Sequence, residues 1–128
     1  MNREILFRGL RTDGKGWVYG CLVIVEQSCF IHRSEKRKGS LDDFIWQESV
    51  EVLPSSVGQF TGAPGKNVDK VWKGDKVDVG DGVTRVVVWD DYDYGFTLSP
   101  IYEALTFGDL AARNRLYVTG NIHEGGNP

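Results

Sequence analysis

The chain is poor in the side chains that most readily do chemistry. Its 128 residues include two cysteines, two histidines and one methionine. Cys21 and Cys29 match neither a zinc-ligand spacing nor a redox pair, so both are expected to be reduced thiols, with Cys21 buried on a strand. Only His32 and His123 could serve as imidazole bases, and neither lies beside a serine or cysteine in a nucleophile motif. No catalytic residue is therefore expected. Long apolar runs are also missing. The longest, residues 21–25, has the length of a strand and not of a membrane span. Residues 1–5 lack the apolar core of a signal peptide, which leads to the expectation of a cytoplasmic protein with no membrane partner. An excess of basic charge is absent too: 15 Lys and Arg stand against 18 Asp and Glu, a net charge of −3. That balance argues against a generally basic protein that coats nucleic acid.

Glycine, by contrast, is abundant at 16 residues and is scattered along the whole chain among aromatic and β-branched residues. Such spacing predicts short strands joined by tight turns. Asp13-Gly14 signals a hairpin between a first strand near 5–8 and a second at 17–25. In the second strand Trp17, Tyr19, Cys21, Val23 and Val25 share one face, and Val18, Leu22 and Ile24 share the other. Both faces are apolar, so this strand is expected to be central and covered on both sides. Residues 32–43 lose all periodicity and predict an exposed loop. A strand is expected within 44–52, ended by Pro54. Residues 55–70 are rich in turns, with a short extended piece at 57–61. A three-stranded meander is expected over 76–98, with a turn at Gly80-Asp81-Gly82. Thr106 and Asp109 stand at capping-box spacing before a short helix near 107–113, and Asn114 suits a left-handed stop. Residues 116–119 predict a last strand. The expected fold is all-β with one short helix. It comprises an N-terminal β-sheet over 1–53 and a C-terminal SH3-like or small β-barrel lobe over 54–128.

Four groups of residues invite a chemical reading. Asp90, Asp91 and Asp93 are the densest acid group, but they lack the glycine-spaced ligands and distal glutamate of a calcium loop. A solvated hairpin turn accounts for them, and no metal ligands or cofactor are expected. Arg33, Lys36, Arg37 and Lys38 form a basic patch that could contact phosphates. No aromatic residue lies among them in sequence to stack on bases, and Glu35 dilutes their charge. Residues 62–67, Gly-Ala-Pro-Gly-Lys-Asn, lack the Gly-Lys-Ser/Thr ending and following helix of a phosphate cradle. The four tryptophans, Trp17, Trp46, Trp72 and Trp89, are expected to fill cores.

Five segments in order carry a wider likeness. They are Arg3-Glu-Ile-Leu-Phe-Arg-Gly9, Trp17-Val-Tyr-Gly20, Val57-Gly-Gln-Phe-Thr-Gly62, Asn67 with Val71-Trp-Lys-Gly-Asp-Lys-Val77, and Val118-Thr-Gly-Asn-Ile-His-Glu124. Together they resemble the YopX-like family of phage and prophage proteins. The resemblance implies a mainly β protein made in a bacterial host cell, with no agreed activity and no catalytic residue to carry over. It marks Trp17, Tyr19, Gly20, Gly58, Gln59, Gly62, Gly74, Asp75, Gly120 and Asn121 as motif positions. The glycines stand where strands turn or backbones approach closely, and Asp75 could bond local backbone N–H groups. Three functional readings follow, in this order. The first is a non-enzymatic module that binds itself or a protein partner. The second is a small β-barrel that binds nucleic acid through Arg33, Lys36, Arg37 and Lys38. The third is a metal-dependent hydrolase built on Asp90 and Asp93.

Overall fold

A computed structural model describes the backbone of residues 5–38 and 43–123, and their side chains except at 34–38 and 43–46. Arg3, Glu4 and Glu124 of the resemblance, residues 39–42 of the expected loop and the tail from 124 lie outside the described residues. The fold is mainly β with one short helix, as expected. Its described residues form two compact units, 5–59 and 60–123.

In the first unit, β1 (Phe7–Leu10), β2 (Trp17–Val25), β3 (Ser28–Lys38), β4 (Asp43–Val52) and β5 (Gly58–Gln59) form an antiparallel sheet in the order β4-β3-β2-β1-β5. The Asp13-Gly14 turn forms between β1 and β2, with Gly14 at φ +77° and Arg11 N–H donating to the Gly16 carbonyl at 2.9 Å. β2 pairs with β1 up to Gly20 and with β3 from Cys21 onward. Gly20 is the pivot of that change: a Cβ there would collide with the backbone carbonyl of His32. The sheet curls far enough for the end of β1 to meet the end of β4. Leu53 N–H donates to the Leu10 carbonyl at 2.8 Å, and Thr12 N–H to the Glu51 carbonyl at 3.1 Å. Val18, Ile31, Val50 and Val52 form the core, joined by Phe7, Leu22, Cys29 and Val57.

Three expectations for this unit need correction. β2 is central in the sheet, but it is not covered on both sides: Tyr19, Val23 and Val25 are exposed. The curled sheet encloses only one of its faces, and that one only as far as Leu22, since Ile24 beyond it is exposed as well. Cys21 is exposed for the same reason, whereas Cys29 on the enclosed face is partly buried. Residues 32–38 are strand and not loop, because β3 and β4 stay paired from Cys29–Val52 out to Lys38–Asp43. Pairing with a segment distant in sequence overrides the weak strand preference of a charged run. Residues 54–59, expected in the C-terminal lobe, belong to the first unit. β5 pairs with β1, and the Ser56 hydroxyl accepts the Leu10 N–H at 2.8 Å.

In the second unit, β6 (Asp75–Asp78), β7 (Arg85–Asp90), β8 (Gly95–Ser99) and β9 (Tyr117–Asn121) form a sheet in the order β8-β7-β6-β9. The meander is present, and the described strands leave this sheet open, with β8 and β9 at opposite edges. Its core is Ala63, Val71, Val77, Val79, Val87, Leu98, Leu110 and Leu116. Leu110 comes from the helix α1 (Phe107–Ala112). Thr106 Oγ1 accepts the Asp109 N–H at 3.0 Å, and Asp109 Oδ2 accepts the Thr106 N–H at 3.4 Å, which completes the capping box. Asn114, at φ +57°, follows the helix in the left-handed conformation.

Candidate functional site

The motif positions gather at two places, each within one unit. At the first, β1 is flanked on both sides: Phe7 stands opposite Gly20 and Gln59, and Arg8 opposite Tyr19 and Gly58. The Arg8 guanidinium is buried and sits 4.5 Å from the centre of the Trp17 ring. Such a cation–aromatic contact strengthens where water is excluded. At the second, Asp75 stands opposite Asn121, and Lys76 opposite Gly120, beside a register shift in the β6–β9 ladder. Asp75 is 3% exposed and Asn121 6%. Asp75 Oδ2 accepts the Trp72 N–H at 2.7 Å, and Asn121 Oδ1 accepts the His123 N–H at 2.8 Å. Gly74, at φ +94°, makes the turn that lets Asp75 reach back. Its carbonyl accepts the Ile122 N–H at 3.0 Å. Gly62 is a separate turn position at φ +87°. Both gatherings place glycines and a buried polar side chain where backbones meet, which is the chemistry of a fold determinant.

The surface of the first unit differs. Strand alternation turns Trp17, Tyr19, Cys21, Val23 and Val25 away from the core. Tyr19 is 45% exposed, Val23 42% and Val25 55%. Phe30 stands opposite Val23 and extends this strip onto β3, where His32 stands opposite Cys21. His32 Nδ1 and Ser49 Oγ lie 3.0 Å apart and close the strip on its β4 side. Sequence reasoning missed this surface because alternation shows that both faces of β2 are apolar, but not which one the sheet encloses.

The basic group is distributed along β3. Arg33 lies 3.6 Å from Glu48, which also lies 3.7 Å from Arg11. The ladder supplies the aromatic residues missing from the local sequence: Phe44 stands opposite Arg37, and Trp46 opposite Glu35.

Asp90 and Asp93 border a cavity of about 440 Å³ with Glu103, Asp109, Phe96 and Tyr102. Asp90 Oδ1 accepts the Tyr92 N–H at 2.9 Å, as a turn aspartate does. Asp109 is committed to the helix cap. Among the described residues, no group of three or more His, Cys, Asp or Glu is placed to hold a metal ion.

Two further carboxyls are held below their ordinary value, one in each unit. The hydrogen bond from the Arg11 guanidinium, followed by that from the Lys15 N–H, brings Asp13 to about 2. Asp81 is lowered by its hydrogen bonds from the Arg85 side chain and then the Val83 N–H. Both pairs pin turns, and neither points into a cavity described above.

No family model matches the chain, and no curated protein matches it either. No described helix is long and apolar enough to cross a membrane.

Proposed function

We propose that the chain is a non-enzymatic module that binds a second copy of itself, or a protein partner, through the outer face of β2. The resemblance of its five segments to the YopX-like family suggests a phage or prophage accessory role in the host cytoplasm. The observation that carries the binding reading is the exposed strip of Tyr19, Val23 and Val25 on a central strand, continued by Trp17 and Phe30. A contiguous apolar strip flanked by polar residues is a common form of protein-binding surface. The test is light scattering over a range of concentrations on the wild-type chain and on Val23→Asp, together with affinity capture from host cells. Expected is a mass that rises with concentration, or a captured partner, in the wild type only, with the thermal midpoint of Val23→Asp unchanged. A wild-type monomer at every concentration that captures nothing would overturn the reading.

A second reading, nucleic-acid binding, is favoured by the β3–β4 register. It sets Phe44 opposite Arg37 and Ile45 opposite Lys36 on one paired ribbon. Cations interleaved with aromatic residues suit single-stranded nucleic acid. Replacing Arg33, Lys36, Arg37 and Lys38 by Ala should abolish a binding that weakens steeply with salt. No binding at low salt would remove this reading.

A further inference from the structure

The second unit holds a cavity of about 320 Å³ lined by Lys66, Asp78, Val79, Gly80, Arg115 and Tyr117. Its position follows from the strand ends. Asp78 and Tyr117 are register partners where β6 leaves and β9 enters the ladder. Lys66 is tied to the same spot by its backbone, whose N–H donates to the Leu116 carbonyl at 2.7 Å.

Arg115 is fixed in place. Its Nε and Nη2 both donate to the Val79 carbonyl, at 3.0 and 2.7 Å, and Nη2 also lies 3.3 Å from the Tyr102 hydroxyl. Nη1 has no hydrogen-bond partner among the described residues. The Lys66 ammonium has none either, and only its main chain is engaged. Two cations therefore line one small cavity, in a chain whose net charge is −3. The single carboxylate present, Asp78, has Oδ1 committed to the Gly80 and Gly82 N–H groups at 2.8 and 3.3 Å. Tyr117 is 47% exposed and offers a ring at the cavity wall.

We infer that this cavity is a binding site for a mononucleotide. Arg115 Nη1 and Lys66 would receive the phosphate, because a fixed guanidinium and a mobile ammonium together match an oxyanion. Tyr117 would carry the base, since aromatic rings stack on any base. Asp78 Oδ2 would accept from a base amine or a ribose hydroxyl. The volume lies at the small end of ligand cavities and suits a single nucleotide unit. This site is in the second unit and does not depend on the β2 surface.

The test is a titration of the full chain with adenosine monophosphate, adenosine and inorganic phosphate, followed by backbone amide shifts. Expected are saturable shifts at Lys66, Gly80 and Tyr117 with the monophosphate, which should bind about tenfold tighter than phosphate or adenosine alone. Lys66→Met should weaken the monophosphate about tenfold at an unchanged thermal midpoint, and Lys66→Arg should restore it. Tyr117→Ala should reduce the monophosphate to the affinity of phosphate. Absence of saturable shifts up to millimolar ligand, or Lys66→Met binding as the wild type does, would overturn the site. Equal affinity for phosphate and the monophosphate would overturn the nucleotide assignment.

Discussion

The two units solve the same problem in different ways. Each must bury one face of a twisted antiparallel sheet. The first unit curls its sheet until β1 meets β4, so a small aliphatic core of Val18, Ile31, Val50 and Val52 is enclosed by strands. The second leaves its sheet open and packs Leu110 of α1 with Leu116 against it. The difference shows where stability is vulnerable. A curled sheet depends on the bend that permits curling, whereas an open sheet depends on its packed side chains and on the polar groups that fix its turns. It also accounts for the exposed strip on β2: a sheet that encloses its core by curling turns its other face outward.

The contrast can be broken most severely at Gly20. Gly20→Val places a side chain against the His32 carbonyl. Urea unfolding followed by hydrogen exchange should show a loss of more than about 4 kcal/mol, read at the amides of β2 and β3. Protection at Val87 and Leu98 of the second unit should persist, and equal loss there would erase the distinction between the units. Next comes packing in the open sheet. Leu116 is fully buried, and Leu116→Ala should cost about 3 kcal/mol by chemical denaturation, with the first unit's amides unaffected. Asp75→Ala leaves the buried Trp72 N–H without its side-chain acceptor, at about 2 kcal/mol on the same measurement. Thr106→Ala removes half of the capping box and should cost about 1 kcal/mol, with earlier exchange of the Asp109 amide.

The smallest effect concerns pH. Asp13 is held at about 2 against an ordinary 3.8, so its folded value is depressed. Its contribution is complete above 3.8 and is lost as pH falls toward about 2. Asp13→Asn should therefore flatten the acid limb of the first unit's stability in that window. The effect should be slight because the Arg11–Asp13 pair is screened by water. Asp81→Asn should act in the same direction on the second unit, where Arg85 is mostly buried.

Much of the second unit is legible in its sequence because its signals are local. Thr106 and Asp109 cap the helix from three residues apart, Gly74-Asp75 forms its own turn, and the 76–98 meander joins neighbours in the chain. Residues 32–38 are illegible for the opposite reason: their strand exists only through pairing with 43–49. The candidate surfaces follow the same rule. The basic residues can be read directly, but the distant strand that pairs with them cannot. Phe44 opposite Arg37, and Lys66 and Arg115 lining one cavity, join segments with no local relation.

By itself, then, the sequence determined the β class, the single capped helix and the glycine turns, because each depends on φ, ψ and hydrogen bonds within a few residues. Only the tertiary structure decided which face of β2 looks outward, that the charged run is a strand, and which cations share a cavity. Those outcomes depend on how far a sheet curls and on which distant strands pair, and strand alternation alone fixes neither.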